Sequence, residues 1–233
     1  MGQIGKETGV KLIPVLVTVS MALATLSPTA VQADGMQAEI DRAAAMFEEF
    51  QVDPQPIIPQ RVLAAARGLA FVTVFKLAPH LRSGFILTGL GSKGIVVART
   101  GLGWSAPCAV ATGSAAYGAE IGEQVAEYIL VINTSDALGA LSSGLNVTLG
   151  TDVTIAAGPR RIIVGATSPA AVYYYGRSED PSIQTSPEGV AVAVNADENT
   201  VYYNRPVSAQ SIFSGQVSPH AGAAKLLKML KDY

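Results

Sequence analysis

The sequence has a single cysteine, Cys108, and only two histidines, His80 and His220. One cysteine excludes an intrachain disulfide. So few thiols and imidazoles also exclude a cysteine cluster or a histidine-rich site, and neither a metal nor a cofactor is expected. Each histidine reads as a surface or internally bonded residue. Charged residues are sparse as well, at 15% against 49% hydrophobic, a composition too apolar for a disordered chain. The 23 glycines and 13 prolines interrupt the apolar runs too often for a multi-span membrane protein. Positive charge is not in excess either: the formal net charge of −2 argues against a globally basic nucleic-acid binder, and no nucleic-acid partner is expected.

What is present begins with an N-terminal pattern. Lys6 and Lys11 precede an apolar run from Leu12 to Leu26, and Val31-Gln32-Ala33 places small residues before Asp34. This is the arrangement of a secretory signal. The run contains Pro14 and is shorter than the ~20 residues that cross a hydrocarbon core. A cleaved signal over residues 1–33 is therefore expected, ahead of a single domain over 34–233, with uncleaved anchoring as the alternative. The protein would then be exported, periplasmic or secreted. Without residues 1–33 the chain carries 14 basic and 17 acidic side chains, net −3.

That average conceals an asymmetry. From Pro54 to Ala119 there is no Asp or Glu, yet Arg61, Arg67, Lys76, Arg82, Lys93 and Arg99 all fall there. Arg160-Arg161 and the series Lys225, Lys228, Lys231 follow later. Folding could gather these cations into a positive face on a negative protein, or scatter them singly over a solvated surface.

Helical spacing of Met36, Ile40, Ala43, Ala44, Phe47 and Phe50 predicts an amphipathic helix ending before Asp53-Pro54. A short second helix is expected from Pro59, with Val62, Leu63 and Ala66 on one side and Gly68 closing it. Strands are predicted at Leu69–Phe75, Gly84–Leu90, Gly94–Arg99, Trp104–Val110, Val125–Ile132, Leu145–Leu149, Val153–Ala157, Ala170–Tyr175, Val190–Val194 and Thr200–Asn204. Ser92-Lys93-Gly94 and Thr100-Gly101-Leu102-Gly103 read as hairpin connections, and Ala196–Asn199 as the turn of a last hairpin. Asn133–Asp136 offers capping for a helix over Ala137–Ser142, and helices close the chain at Ser208–Phe213 and Ala221–Leu230. The expected fold is α+β: a twisted, mainly antiparallel sheet closing partly into a barrel, with N- and C-terminal helices packed on it.

No catalytic constellation stands out, and no enzyme is expected. Gly113-Ser114-Ala115 is not a nucleophile elbow. Glu120, Glu123 and Glu127 read as a solvated face. Gly89–Gly94 lacks the spacing of a phosphate loop.

Several short segments, in order, resemble the SYLF family, known also for Ysc-type actin-binding members. They are Val62-Leu63 with Ala65–Ala70, Gly94–Arg99, Trp104-Ser105-Ala106-Pro107, Gly118–Gly122, Ile132-Asn133-Thr134 with Asp136-Ala137, and Thr148-Leu149-Gly150 with Ala157-Gly158-Pro159. Two stretches depart from the family pattern: Ala78–Arg82 adds residues, and an acidic, Pro-containing loop after Gly176 stands where a Gly-Leu-Phe-Ala-Gly-like segment is usual. The resemblance implies a phospholipid-binding module, for phosphoinositides in eukaryotic members, with actin binding in some fungal ones. For an exported chain it implies peripheral association with an anionic phospholipid membrane rather than with actin. Lipid binding needs clustered Lys and Arg, each contributing about 1 kcal/mol near an anionic surface. The candidate contributors are Arg61, Arg67, Lys76, Arg82, Lys93, Arg99, Arg160 and Arg161. An envelope scaffold or protein-interaction module without lipid preference is the alternative.

Overall fold

The apolar positions spaced along residues 36–50 fold as expected into α1 (Met36–Val52), with Met36, Ile40, Ala43, Ala44, Phe47 and Phe50 all buried. The computed structural model describes residues 35–52, 57–76, 93–113, 124–144, 146–159, 170–178 and 187–233. Next come α2 (Gln60–Ala65), β1 (Gly68–Lys76), β2 (Lys93–Thr100), β3 (Gly103–Trp104), β4 (Cys108–Gly113) and β5 (Gln124–Ile132). They are followed by α3 (Ser135–Ser142), β6 (Val147–Thr148), β7 (Ile155–Ala157), β8 (Val172–Ser178), β9 (Ala191–Val194), α4 (Ala196–Tyr203) and α5 (Ala209–Phe213). A single 3-10 turn, Ala221–Ala223, leads into α6 (Ala224–Leu230). The capping predicted for α3 is present, Thr134 Oγ1 accepting from the Ala137 amide at 3.2 Å.

The strands form one sheet in the order β6-β9-β4-β2-β1-β5-β8-β7, with β3 paired to β2. Named neighbours are antiparallel except β7 and β8, which run parallel. The two outermost strands of this order, β6 and β7, are separated in the chain by only residues 149–154. Laid flat, eight strands would put them roughly 34 Å apart at about 4.8 Å per step. Instead Leu149 and Val153 form a bridge, and the Gly150 amide donates to the Val153 carbonyl at 2.9 Å. The sheet must therefore curl until its edges meet, giving the partly closed barrel expected.

One face of this half-barrel is concave. Ala70, Leu130, Val172 and Val192, drawn from strands across the sheet, line the same cavity as Ala137 and Leu141 of α3. That cavity is about 20 Å³, and its ten lining residues are apolar. It has room for about one water and offers that water no partner, so it is core rather than a substrate site. On the opposite face, Phe47 of α1 meets Phe71 of β1 edge-on at 6.3 Å, and Arg42 pairs with Glu127 of β5 at 3.8 Å. Tyr233 closes on Phe47 from the C-terminal side at 5.7 Å.

Three expectations are corrected. Thr200–Asn204 is not a strand, and the hairpin around Ala196–Asn199 does not form; β9 pairs with β4 and β6, and the following residues are α4. Val201, Tyr202 and Tyr203 favour strands, but tertiary contacts override them. Asn195 Oδ1 caps the Glu198 amide, buried Asn199 accepts from the Ala109 amide at 2.8 Å, and the Tyr203 hydroxyl donates to the Pro107 carbonyl. Second, Lys93-Gly94 lies within β2 rather than in a turn. Gly94 is there because a Cβ would stand 2.3 Å from the Phe71 carbonyl oxygen. Third, Trp104–Val110 is two strands. Ser105 breaks the run by turning its own hydroxyl to the Ala98 amide at 2.9 Å, and Pro107 has no amide to pair. The strand expected at Gly84–Leu90 lies outside the described residues.

Two glycines with opposite surroundings test the packing. Gly94→Ala should lower stability by at least about 3 kcal/mol in urea unfolding, since central strands would have to separate. Gly139→Ala, exposed in mid-α3 with nothing within 4 Å of the new methyl, should raise it by about 0.5–1 kcal/mol.

Buried Cys108 adds a pH dependence. Burial, opposed in part by a hydrogen bond from Asn199, pushes its thiol from 9.0 up to about 12. Below pH 9 the thiol is protonated folded or unfolded, and its contribution to stability is complete. Above pH 9 the unfolded chain ionises first, so stability should fall by up to about 1.4 kcal/mol per unit towards pH 12. Burial also raises Tyr175 and Tyr203, which add their own loss above pH 10. Unfolding measured between pH 9 and 10 should lose this slope in Cys108→Ala.

Candidate functional site

Arg99, the penultimate residue of β2, sits where three chain segments end. Its amide donates to the Arg67 carbonyl at 2.7 Å. Its Nη2 donates to the main-chain oxygens of Leu63 and Tyr233, both at 3.0 Å, and its Nε reaches the Ala66 carbonyl at 3.5 Å. The guanidinium lies 3.9 Å above the Trp104 ring, whose Nε1 donates to the Leu230 carbonyl at 2.8 Å. Helix C-termini leave carbonyls without intrahelical partners and carry partial negative charge. Arg99 and Trp104 thus cap the ends of both α2 and α6, a task suited to a planar fork of donors. Burial lowers the guanidinium pKa.

This hub draws other residues to the same end of the sheet. Leu63 is two positions beyond Arg61, Ala66 immediately precedes Arg67, and Tyr233 follows Lys231 by two. Arg61, Arg67 and Lys231 are exposed, and none forms an ion pair with a described residue. Asp232 is exposed beside Lys231, and Asp136 is exposed near the end of β5. Leu102, at the tip of the β2–β3 turn, has a relative exposure of 102%.

Of the eight expected cations, Arg61, Arg67 and Arg99 are therefore brought together, with Arg99 engaged in main-chain contacts rather than free. Lys93 is six residues from Arg99, about 20 Å along the strand, and lies 3.9 Å from Glu198. Lys76 ends β1 on that same far side, opposite Gln124. Arg82, Arg160 and Arg161 lie outside the described residues, as do Ser114, Glu120 and Glu123. In the C-terminal series, Lys225 pairs with Glu48 at 3.3 Å. Among the described residues, no three His, Cys, Asp or Glu side chains converge, and no helix is long and apolar enough to cross a membrane.

Sequence reasoning overlooked Leu102, treating it only as a turn residue. The available signal was a leucine between two glycines, where hairpin chemistry favours Asn, Asp or Gly.

The hub is testable. Arg99→Lys keeps the charge and loses the fork, so stability should fall by about 2 kcal/mol in urea unfolding. The exposed Arg61→Lys should change it by less than about 0.5 kcal/mol.

Comparison with known proteins places this arrangement. Residues 113–233 match the Ysc84 family model, described as Las17-binding protein actin regulator. The chain is similar to LAS seventeen-binding protein 3 of Saccharomyces cerevisiae, with 30% identity over 209 residues, covering 84% of this chain and 44% of the yeast protein. It is also similar to human SH3 domain-containing YSC84-like protein 1, with 34% identity over 208 residues, covering 85% of this chain and 59% of the human protein. The chain thus spans about half the length of these relatives. With its C-terminal half matched throughout and both alignments reaching across most of the rest, this chain belongs to the Ysc84, or SYLF, family.

Proposed function

We propose that this chain is a non-enzymatic module that associates peripherally with acidic phospholipid. The observation that supports this reading is the placement of Arg61 and Arg67, exposed and without carboxylate partners among the described residues, around the Arg99 hub. A locally positive end can bind an anionic surface although the whole chain is negative, because charges further away than a Debye length of about 10 Å are screened. At about 1 kcal/mol per cation, two such residues supply about 2 kcal/mol, or about 30-fold in partitioning. The apolar, water-sized interior cavity supports binding on the exterior rather than chemistry within.

A second reading has its own support: the family description refers to Las17 binding and actin regulation, and the yeast relative is named for binding Las17. On that reading the module recognises a protein partner, as an envelope scaffold would, with no preference for lipid. An envelope scaffold shares the expected export with the first reading, and export would put actin out of reach. Mass spectrometry of the exported protein should find a mature terminus at Asp34; a terminus at Met1 or Gly2 would remove the export argument.

Co-sedimentation with phosphatidylcholine vesicles, with and without phosphatidylserine, separates the two readings. Binding should require the anionic lipid and weaken about 30-fold in Arg61→Gln/Arg67→Gln. Equal binding to both vesicles, or to neither, counts against lipid recognition. Recovery of one protein partner while vesicles recover nothing favours the scaffold.

A further inference from the structure

We propose that Leu102 is a wedge that enters the acyl region of an anionic membrane while Arg61, Arg67 and Lys231 hold the head groups around it. The inference rests on the lipid reading above and assigns its apolar contact. A single exposed leucine on a flat surface needs no explanation. Leu102 differs in three respects. It stands at the tip of a two-residue connection, between Thr100 and Gly103, which are paired across the turn. The tip is held in advance: Thr100 Oγ1 accepts from the Leu102 amide at 3.2 Å and donates to the Gly103 carbonyl at 3.1 Å. Gly103 adopts φ +122°, which only glycine takes readily, and Trp104 beyond it is anchored under Arg99. An apolar group on a preorganised tip inserts without the entropy of ordering a loop.

The third respect is charge. Leu102 is three residues from Arg99, about 10 Å along the strand, and Arg99 gathers the segments bearing Arg61, Arg67 and Lys231. Its own neighbourhood in the sequence, Pro54 to Ala119, has no acidic residue; exposed carboxylates come from elsewhere, Asp136, Asp232 and, at the end of α1 whose Phe47 touches Tyr233, Glu48 and Glu49. An apolar tip on the strand that joins the segments of three exposed cations matches a bilayer interface, where head groups lie above hydrocarbon. A soluble anion would leave Leu102 in water.

The test uses Leu102→Cys carrying an NBD fluorophore. Cys108 is fully buried, with its thiol pushed up to about 12, so labelling is confined to the tip. Phosphatidylcholine–phosphatidylserine vesicles should blue-shift and brighten NBD, and phosphatidylcholine alone should not. Leu102→Ser should bind the mixed vesicles about tenfold more weakly. Val201→Ser, which removes another exposed apolar side chain from α4, should bind as the unmodified protein does. Undiminished co-sedimentation without an NBD change, or with Leu102→Ser equal to the unmodified protein, overturns the wedge and leaves the lipid reading standing. Absence of co-sedimentation in every variant overturns both.

Discussion

Residues 149–154 join the two outermost strands of the sheet, and this short connection constrains everything around it. Six residues allow β6 and β7 to be neighbours only if the strands between them bend round. Bending gives the sheet an inside, and the inside is filled by Ala70, Leu130, Val172, Val192 and the apolar face of α3. The helix α1 then covers the outside where β1, β2 and β5 run, and α6 packs against α1. Among the described residues, the concave side is packed with hydrocarbon.

At one rim the organising element is a cation engaged by the main chain. Arg99 satisfies carbonyls at the ends of two helices, and the Trp104 ring beneath it is fastened to the second of them. Free arginines close by gain a fixed geometry from this arrangement without giving up their solvent exposure. The charge presented at this rim is thus set by which cations are tied down and which are left at the surface. Lys93, beside Glu198 at the far end of its strand, belongs to the first group.

Local chemistry was readable where it acted alone. The amphipathic period of residues 36–50, the capping residues before α3 and the apolar runs of β1 and β5 each involve neighbours within a few positions, and each element formed. Reading failed where a distant partner decided. Val201-Tyr202-Tyr203 has strand propensity, but Tyr203 and Asn199 are needed to satisfy Pro107 and Ala109, some ninety residues away, and the segment is helical. Gly94 resembled turn chemistry because glycine serves turns and close strand contacts alike. The acid-free stretch holds six of the expected cations, yet nothing local to Arg99 distinguishes it from Arg61 or Arg67.

Composition and short-range pattern therefore determine the α+β character, the buried faces of the helices and the pool of cations from which a positive surface can be drawn. Which cations are spent on helix ends, which remain exposed beside Leu102, and whether the sheet is open or curled are settled by contacts between residues far apart in the chain. Such contacts arise only when the edges of the sheet are brought together, because a side chain's partners depend on where the backbone returns and not on its immediate neighbours.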